Sequence, residues 1–191
     1  MDKLSQSDPT QWFPMPAVLI SSRARDGIPN IMGIGYVGFC CWDPPMLTLG
    51  VNLARYTRQI LHDTGEVVVN VPYVDQVSTM DYCGFVSGKN NNKFASAGLT
   101  PLPASKVAAP LVGECPVNLE CQVRQAIVLG SHELFVVEVV ATHVDGCLVN
   151  GVATLSPVIL QSRYYVAANQ RLSPFGISAG NPPDHSGGIH S

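Results

Sequence analysis

Asn52, Arg55, Thr57 and Arg58 fall within seven residues of a 191-residue chain. They stand between an apolar run ending at Asn52 and the segment Thr57–Thr64. In that segment Ile60 and Leu61 supply an apolar patch, Thr57 suits the cap, and Gly65 suits the stop, so it predicts a short helix. The first N–H groups of a helix lack partners and carry partial positive charge, which favours anions. A hydroxyl and two guanidiniums at such a point describe a phosphate pocket. An ordinary cap flanked by solvated arginines accounts for them equally well.

A second candidate is Cys83-Gly84-Phe85-Val86-Ser87-Gly88-Lys89, followed by Lys93. It lacks the spacing and Lys-Ser/Thr ending of a phosphate-binding P-loop. A glycine loop with two lysines can still meet an anion, but a polar surface turn is the simpler reading. Gly33, Gly35 and Gly38 match the G-x-G-x-x-G dinucleotide pattern. That pattern works only where a helix opens after it and an acidic residue follows about 20 residues on. Here Phe39-Cys40-Cys41-Trp42-Asp43-Pro44-Pro45 follows, and Leu53 holds the acidic position. What survives is a strand whose glycines admit a flat group to the backbone, or else bulges in a curved strand.

His132 follows Gly130-Ser131 at the start of an apolar run; a lone histidine there is more often structural than catalytic. The chain has no H-E-x-x-H, no G-x-S-x-G and no C-x-x-C among its 6 cysteines, so no metal site is expected. The cysteines read as free thiols.

The elements that must hold these residues are mostly strands. Ala17–Ser22 and Ile31–Cys41 form an expected hairpin about Asp26-Gly27, and Asp43-Pro44-Pro45 ends the second strand. Met46–Asn52, Glu66–Val71, Val117–Leu129, Leu134–Val144, Ala153–Leu160 and Tyr164–Ala167 follow, with Gly130-Ser131 as a turn. Asp75–Cys83 and Asn91–Ala97 are weaker helices, and Pro101–Pro116 reads as a loop. Many strands with few short helices predict a mainly β, antiparallel barrel with helical insertions.

Composition narrows the partners. Charged residues are 13% and hydrophobic residues 46%, which suits a well-buried, dimeric protein better than a disordered one. A net charge of -3 is a poor footprint for nucleic acid. No apolar stretch is long enough to span a membrane, and the polar start lacks a signal core, so a cytoplasmic protein is expected. Residues 1–171 read as one domain, with 172–191 an extended Pro/Gly/Ser-rich tail.

Taken in order, several segments resemble the flavin reductase-like family, and within it the flavoredoxin branch. They are Pro16–Ser21, Pro29-Asn30-Ile31, Asp43-Pro44-Pro45, Thr57–Ile60, Thr64–Pro72, Cys83-Gly84, Ser87-Gly88, Lys93-Phe94, Leu119-Glu120-Cys121, Leu129–His132 and Val137-Glu138-Val139. The resemblance covers about residues 14–165. It implies an FMN-binding split β-barrel, antiparallel and Greek-key-like, and a homodimer holding FMN non-covalently near the subunit interface. By resemblance the flavin ring lies against Tyr36-Val37-Gly38-Phe39. The phosphate meets Arg55, Thr57 and Arg58 with Asn52 nearby, Ser87, Gly88 and Lys93 complete the site, and His132 stands at its mouth. The implied activity passes electrons from NAD(P)H through FMN to free flavin or another acceptor. A flavoredoxin-like carrier reduced by a protein partner, or a non-catalytic flavin- or haem-binding barrel, is the alternative. Gly50 stands where some ferric reductases of the family carry a cysteine, which weakens that assignment.

Overall fold

The computed structural model describes residues 3–5, 7–151 and 153–168. The expected tail at 172–191 lies outside the described residues. Seven strands form one antiparallel sheet: β1 (Val18–Arg23), β2 (Pro29–Ile34), β3 (Val37–Cys41), β4 (Met46–Asn52), β5 (Glu66–Val71), β6 (Val117–Val128) and β7 (His132–Val144). Their order is β2-β1-β5-β6-β7-β4-β3. The two edge strands are therefore neighbours in the chain. The sheet curls until its edges nearly meet, and Gly35-Tyr36 crosses the gap.

This crossing corrects the sequence reading of 31–41 as one strand. Ile34 pairs with Val18 on one edge, whereas Val37 pairs with Leu49 on the other. A continuous strand cannot serve both edges, so the chain breaks where Gly50 N–H donates to Tyr36 C=O at 2.8 Å. The expected β1–β2 hairpin is present, with Gly27 at φ 86° in its turn. Residues Met46–Asn52 and Glu66–Val71 form strands with the expected bounds. The 101–116 segment is more than a loop, since Pro101–Leu102 pairs with Leu111–Val112.

Side chains fill the barrel from alternate positions of each strand. Ile20, Leu49, Val51, Val67, Val69, Phe135 and Val137 meet there, each at most 2% exposed. A second core lies outside the barrel wall. Leu19 and Ile31 pack there against Met80, Cys83 and Phe94, so β1 is buried on both faces. That burial explains why β1 reads as an unbroken apolar run. Helix α1 (Tyr56–Thr64) follows β4 and puts Thr57, Ile60 and Leu61 inward. Gly65 ends it at φ 69°, its N–H donating to Leu61 C=O at 2.9 Å. The expected cap at Thr57 is corrected: Arg55 is the N-cap residue, and Thr57 is buried in the first turn. Helix α2 (Val77–Phe85) lies on β2, and Val158–Gln161 with Tyr164–Ala167 form a small hairpin beside Met15–Pro16.

Candidate functional site

The gap between the barrel edges opens beside the start of α1. One groove there, about 400 Å³, is lined by Met32, Gly33, Ile34, Gly35, Tyr36, Gly50, Asn52 and His132, and reaches Arg55. A smaller pocket of about 60 Å³ adjoins it, lined by Arg55, Tyr56, Thr57, Ser87, Gly88 and Lys93. Arg55 is half-buried and lines both. Its guanidinium has no acidic partner among the described residues.

The small pocket is built from two chain segments that the barrel brings together. Asn30, Thr57 and Lys93 are each 3% exposed. Asn30 Nδ2 donates to Thr57 Oγ1 at 2.9 Å, which leaves the Thr57 hydroxyl proton to be donated elsewhere. Lys93 Nζ donates to Cys83 C=O at 2.9 Å. Burial, with a smaller push from the Arg55 guanidinium, lowers the Lys93 ammonium to about 8. Asn30 Oδ1 is buried and has no hydrogen-bond partner among the described residues. Gly88 packs directly over it, and a Cβ at Gly88 would overlap that oxygen. First-turn N–H groups of a helix have no intrahelical acceptor, and Tyr56 and Thr57 occupy that turn. The pocket therefore offers two cations with hydroxyl and backbone donors.

The groove is flatter and less charged. The rings of Tyr36 and His132 meet edge to face, with centroids 4.9 Å apart. His132 Nδ1 lies 2.8 Å from Ser131 Oγ, so Nε2 is the nitrogen left without a partner among the described residues. Asn52 Oδ1 accepts from Ala54 N–H at 3.0 Å and shapes the approach to α1. The glycines do less for the groove than their spacing suggested. At Gly33 a Cβ would overlap Met80 C=O, so its missing side chain lets α2 approach β2. At Gly35 a Cβ would meet Leu160 at 3.1 Å, and at Gly50 it would meet Tyr36 at 2.9 Å.

The structure thus brings together Tyr36, Asn52, Arg55, Thr57, Ser87, Gly88, Lys93 and His132. Val37, Gly38 and Phe39 do not line the groove, because β3 turns away along the barrel edge and leaves Phe39 67% exposed. Gly33 to Tyr36 stand there instead. Arg58 does not line the small pocket either. One helix position past Thr57 rotates it by about 100°, toward Glu133, whose Oε2 accepts from Arg58 Nε at 2.5 Å.

Asn30 and Glu133 are the residues that motif reading missed. Glu133 shares the inward phase of β7 with Phe135 and Val137, and all three are buried. A carboxylate in that phase needs a partner, which is a signal that strand alternation carries. Burial pushes the Glu133 carboxyl up, but hydrogen bonds from His62 and Arg58 outweigh it and hold it below the ordinary range. Among the described residues no group of His, Cys, Asp or Glu could hold a metal ion.

A family model described as "Flavin reductase like domain" matches residues 10–167. An uncharacterised protein of Archaeoglobus fulgidus is 34% identical over 134 residues, covering 70% of this chain and 75% of its own. Among solved structures, the flavoredoxin of Desulfovibrio vulgaris is similar at TM-score 0.83 and 33% identity, covering 94% of this chain and 100% of that one. The flavoredoxin of Methanosarcina acetivorans matches at TM-score 0.82 and 28% identity, covering 93% and 99%.

Proposed function

The chain belongs to the flavin reductase-like family, and from that premise we propose that it is an FMN-dependent oxidoreductase that takes electrons from NAD(P)H and hands them to free flavin or another acceptor. The observation that carries the cofactor is Arg55. It is a half-buried cation without an acidic partner among the described residues, and it lines both a flat groove and a small polar pocket. A flat ring joined to a phosphate satisfies both spaces at once. Arg55, Thr57, Ser87 and Lys93 would hold the phosphate, with Gly88 giving the room. Asn52 and Tyr36 would flank the ring.

FMN, when bound, supplies the hydride and electron chemistry itself. The protein's part is to bind, orient and exclude water. Thr57 and Lys93 point charge-assisted donors at one end of the ligand, which fixes where the other end lies. His132, stacked edge-on against Tyr36, stands at the groove mouth and positions the acceptor or nicotinamide. Anaerobic addition of NADH or NADPH to the FMN-loaded protein tests the activity. Bleaching of the visible flavin band supports it. No FMN affinity below about 1 mM, roughly −4 kcal/mol, sinks the cofactor assignment.

The flavoredoxin structures, at 33% and 28% identity, favour a second reading as an electron carrier reduced by another protein. In that case NAD(P)H leaves the flavin band unchanged while a reduced protein donor bleaches it. In both readings the protein is a homodimer. The far end of the β6–β7 hairpin leaves Ile127, Val128 and Leu129 exposed, and Phe39 and Trp42 are 67% and 93% exposed near β3. A second copy would cover such apolar surface. Sedimentation at micromolar concentration checks this, and a stable 20.4 kDa monomer contradicts it.

A further inference from the structure

Strand β3 carries two adjacent thiols, Cys40 and Cys41, that the flavin site leaves unused. In a regular strand successive side chains turn to opposite faces. This strand is not regular. Phe39 pairs with Leu47 and Cys41 with Met46, so the ladder advances two residues on β3 for one on β4. Cys40 is the extra residue of a β-bulge, and both cysteines stand opposite the single residue Met46. The bulge suspends alternation and lets the two thiols share a side. Motif spacing gives no sign of this, because adjacent cysteines in a regular strand diverge.

Met46 shares the face of Cys41, since directly paired residues project to one side with Cβ atoms about 4.5–5.5 Å apart. Its thioether completes a group of three sulfurs on an edge strand of the sheet. Cys40 is exposed, and Cys41 and Met46 are half-buried, so an ion can reach the group from outside. The Cys41 thiol meets the Asp43 carbonyl at 3.5 Å, a weak contact that a stronger partner displaces. Most of the other cysteines are placed differently. Cys83, Cys115 and Cys121 are buried in the cores. Burial pushes the Cys115 and Cys121 thiols up to about 12, which disfavours the thiolate that a metal needs.

Thiolate and thioether sulfurs select soft cations. Structural zinc asks for four ligands and iron–sulfur clusters for four thiolates. Among the described residues no group of three or more His, Cys, Asp or Glu could supply such a set. A soft monovalent cation is satisfied by two thiolates and a thioether. We propose that Cys40, Cys41 and Met46 form a binding site for copper(I). On binding, the two thiols release their protons and their sulfurs bond to the cation, with no change of oxidation state. Cys40 lies four residues, about 13 Å, along the chain from Tyr36. The site is therefore separate from the flavin groove and does not rest on the flavin reading.

Anaerobic competition for copper(I) against the coloured chelator bicinchoninate tests the site on the full chain. The protein should hold one copper(I) per chain, with affinity that falls as pH falls because protons compete for the two sulfurs. Cys40→Ser and Cys41→Ser should each weaken it by roughly a hundredfold or more, and Met46→Leu, a change that keeps the volume, by about tenfold. Cys147→Ser removes the remaining half-buried thiol and should leave copper(I) affinity within about twofold. X-ray absorption of the copper-loaded wild-type protein reads the ligands without any variant and should show three sulfur neighbours. Failure of the wild-type protein to retain copper(I) overturns the proposal. So does a loss in Cys147→Ser equal to that in Cys40→Ser, which would mark indiscriminate binding to thiols. An unchanged affinity in Met46→Leu, or an absorption spectrum with fewer than three sulfurs, overturns the three-sulfur site.

Discussion

Lys93 carries a consequence that can be measured at one amine. Its ammonium sits near 8 because it is buried beside Arg55. A phosphate favours the protonated form, so FMN affinity should fall as pH rises through about 8, by up to tenfold per unit. Below about 6 the phosphate itself gains a proton and affinity falls again. Riboflavin has no phosphate and should show neither limb. Lys93→Met should abolish the alkaline limb and weaken FMN roughly 10- to 150-fold, the worth of a hydrogen bond to a charged group. An unchanged alkaline limb in that variant would place the titration elsewhere. Gly88 gives a steric counterpart. The Asn30 amide beneath it is held by Ser22 and Thr57, so it cannot yield cheaply to a new Cβ. Gly88→Ala should cost FMN at least tenfold, about 1.4 kcal/mol. Gly130→Ala, whose Cβ meets open space, should be neutral. Binding titrations of both variants settle the comparison.

At the scale of elements, α1 is what joins the site to the barrel, and its end depends on one backbone conformation. Gly65 lies at φ 69°, where an L side chain is strained, and nothing lies within 4 Å of a Cβ placed there. Gly65→Ala should therefore destabilise by backbone strain alone, about 1–2 kcal/mol. Urea unfolding should show a lower midpoint with an unchanged slope. Gly65 was legible in the sequence because a helix stop of this kind has one favoured residue. The start was not, because Arg55 caps without a side-chain hydrogen bond and Thr57 spends its acceptor on Asn30, distant in the chain. The same reason hid Glu133: a strand pattern shows that its side chain turns inward, but not that Arg58 and His62 wait there.

For the whole molecule, Glu120 ties the long 103–112 segment to the sheet. Its carboxylate is fully buried and accepts from Ser105 N–H and Oγ at 2.8 Å, Lys106 N–H at 2.6 Å and Val107 N–H at 3.1 Å. His143 Nε2 lies 2.6 Å away. Burial would raise this carboxyl, but the donors on Ser105, His143 and Lys106 bring it down to about 2. A carboxyl depressed in the folded state stabilises fully above its unfolded value near 4.3. That contribution is lost as pH falls from about 4 toward 2. Glu120→Gln should be less stable at pH 7 and lack this extra acid loss. Chemical denaturation across that range checks both, and parallel curves for the two proteins would remove Glu120 from the account.

The sequence alone determined what rests on local rules. Strand period, proline stops and the Gly65 signal gave the β elements with close bounds at Met46–Asn52 and Glu66–Val71. The order of family-like segments carried the split barrel and the flavin reductase-like assignment, which the family match over 10–167 bears out. Tertiary structure decided what depends on closure of the sheet. Residues 31–41 became two strands because they serve opposite edges. That break put Gly33 to Tyr36, and not Gly38 and Phe39, at the groove. It was likewise the fold that separated Thr57 from Arg58, consecutive in sequence, onto different sides of one helix. Periodicity fixes which way a side chain turns relative to its own element. What it meets there is fixed by elements dozens of residues away, and only their packing brings Asn30, Lys93 and Glu133 to α1.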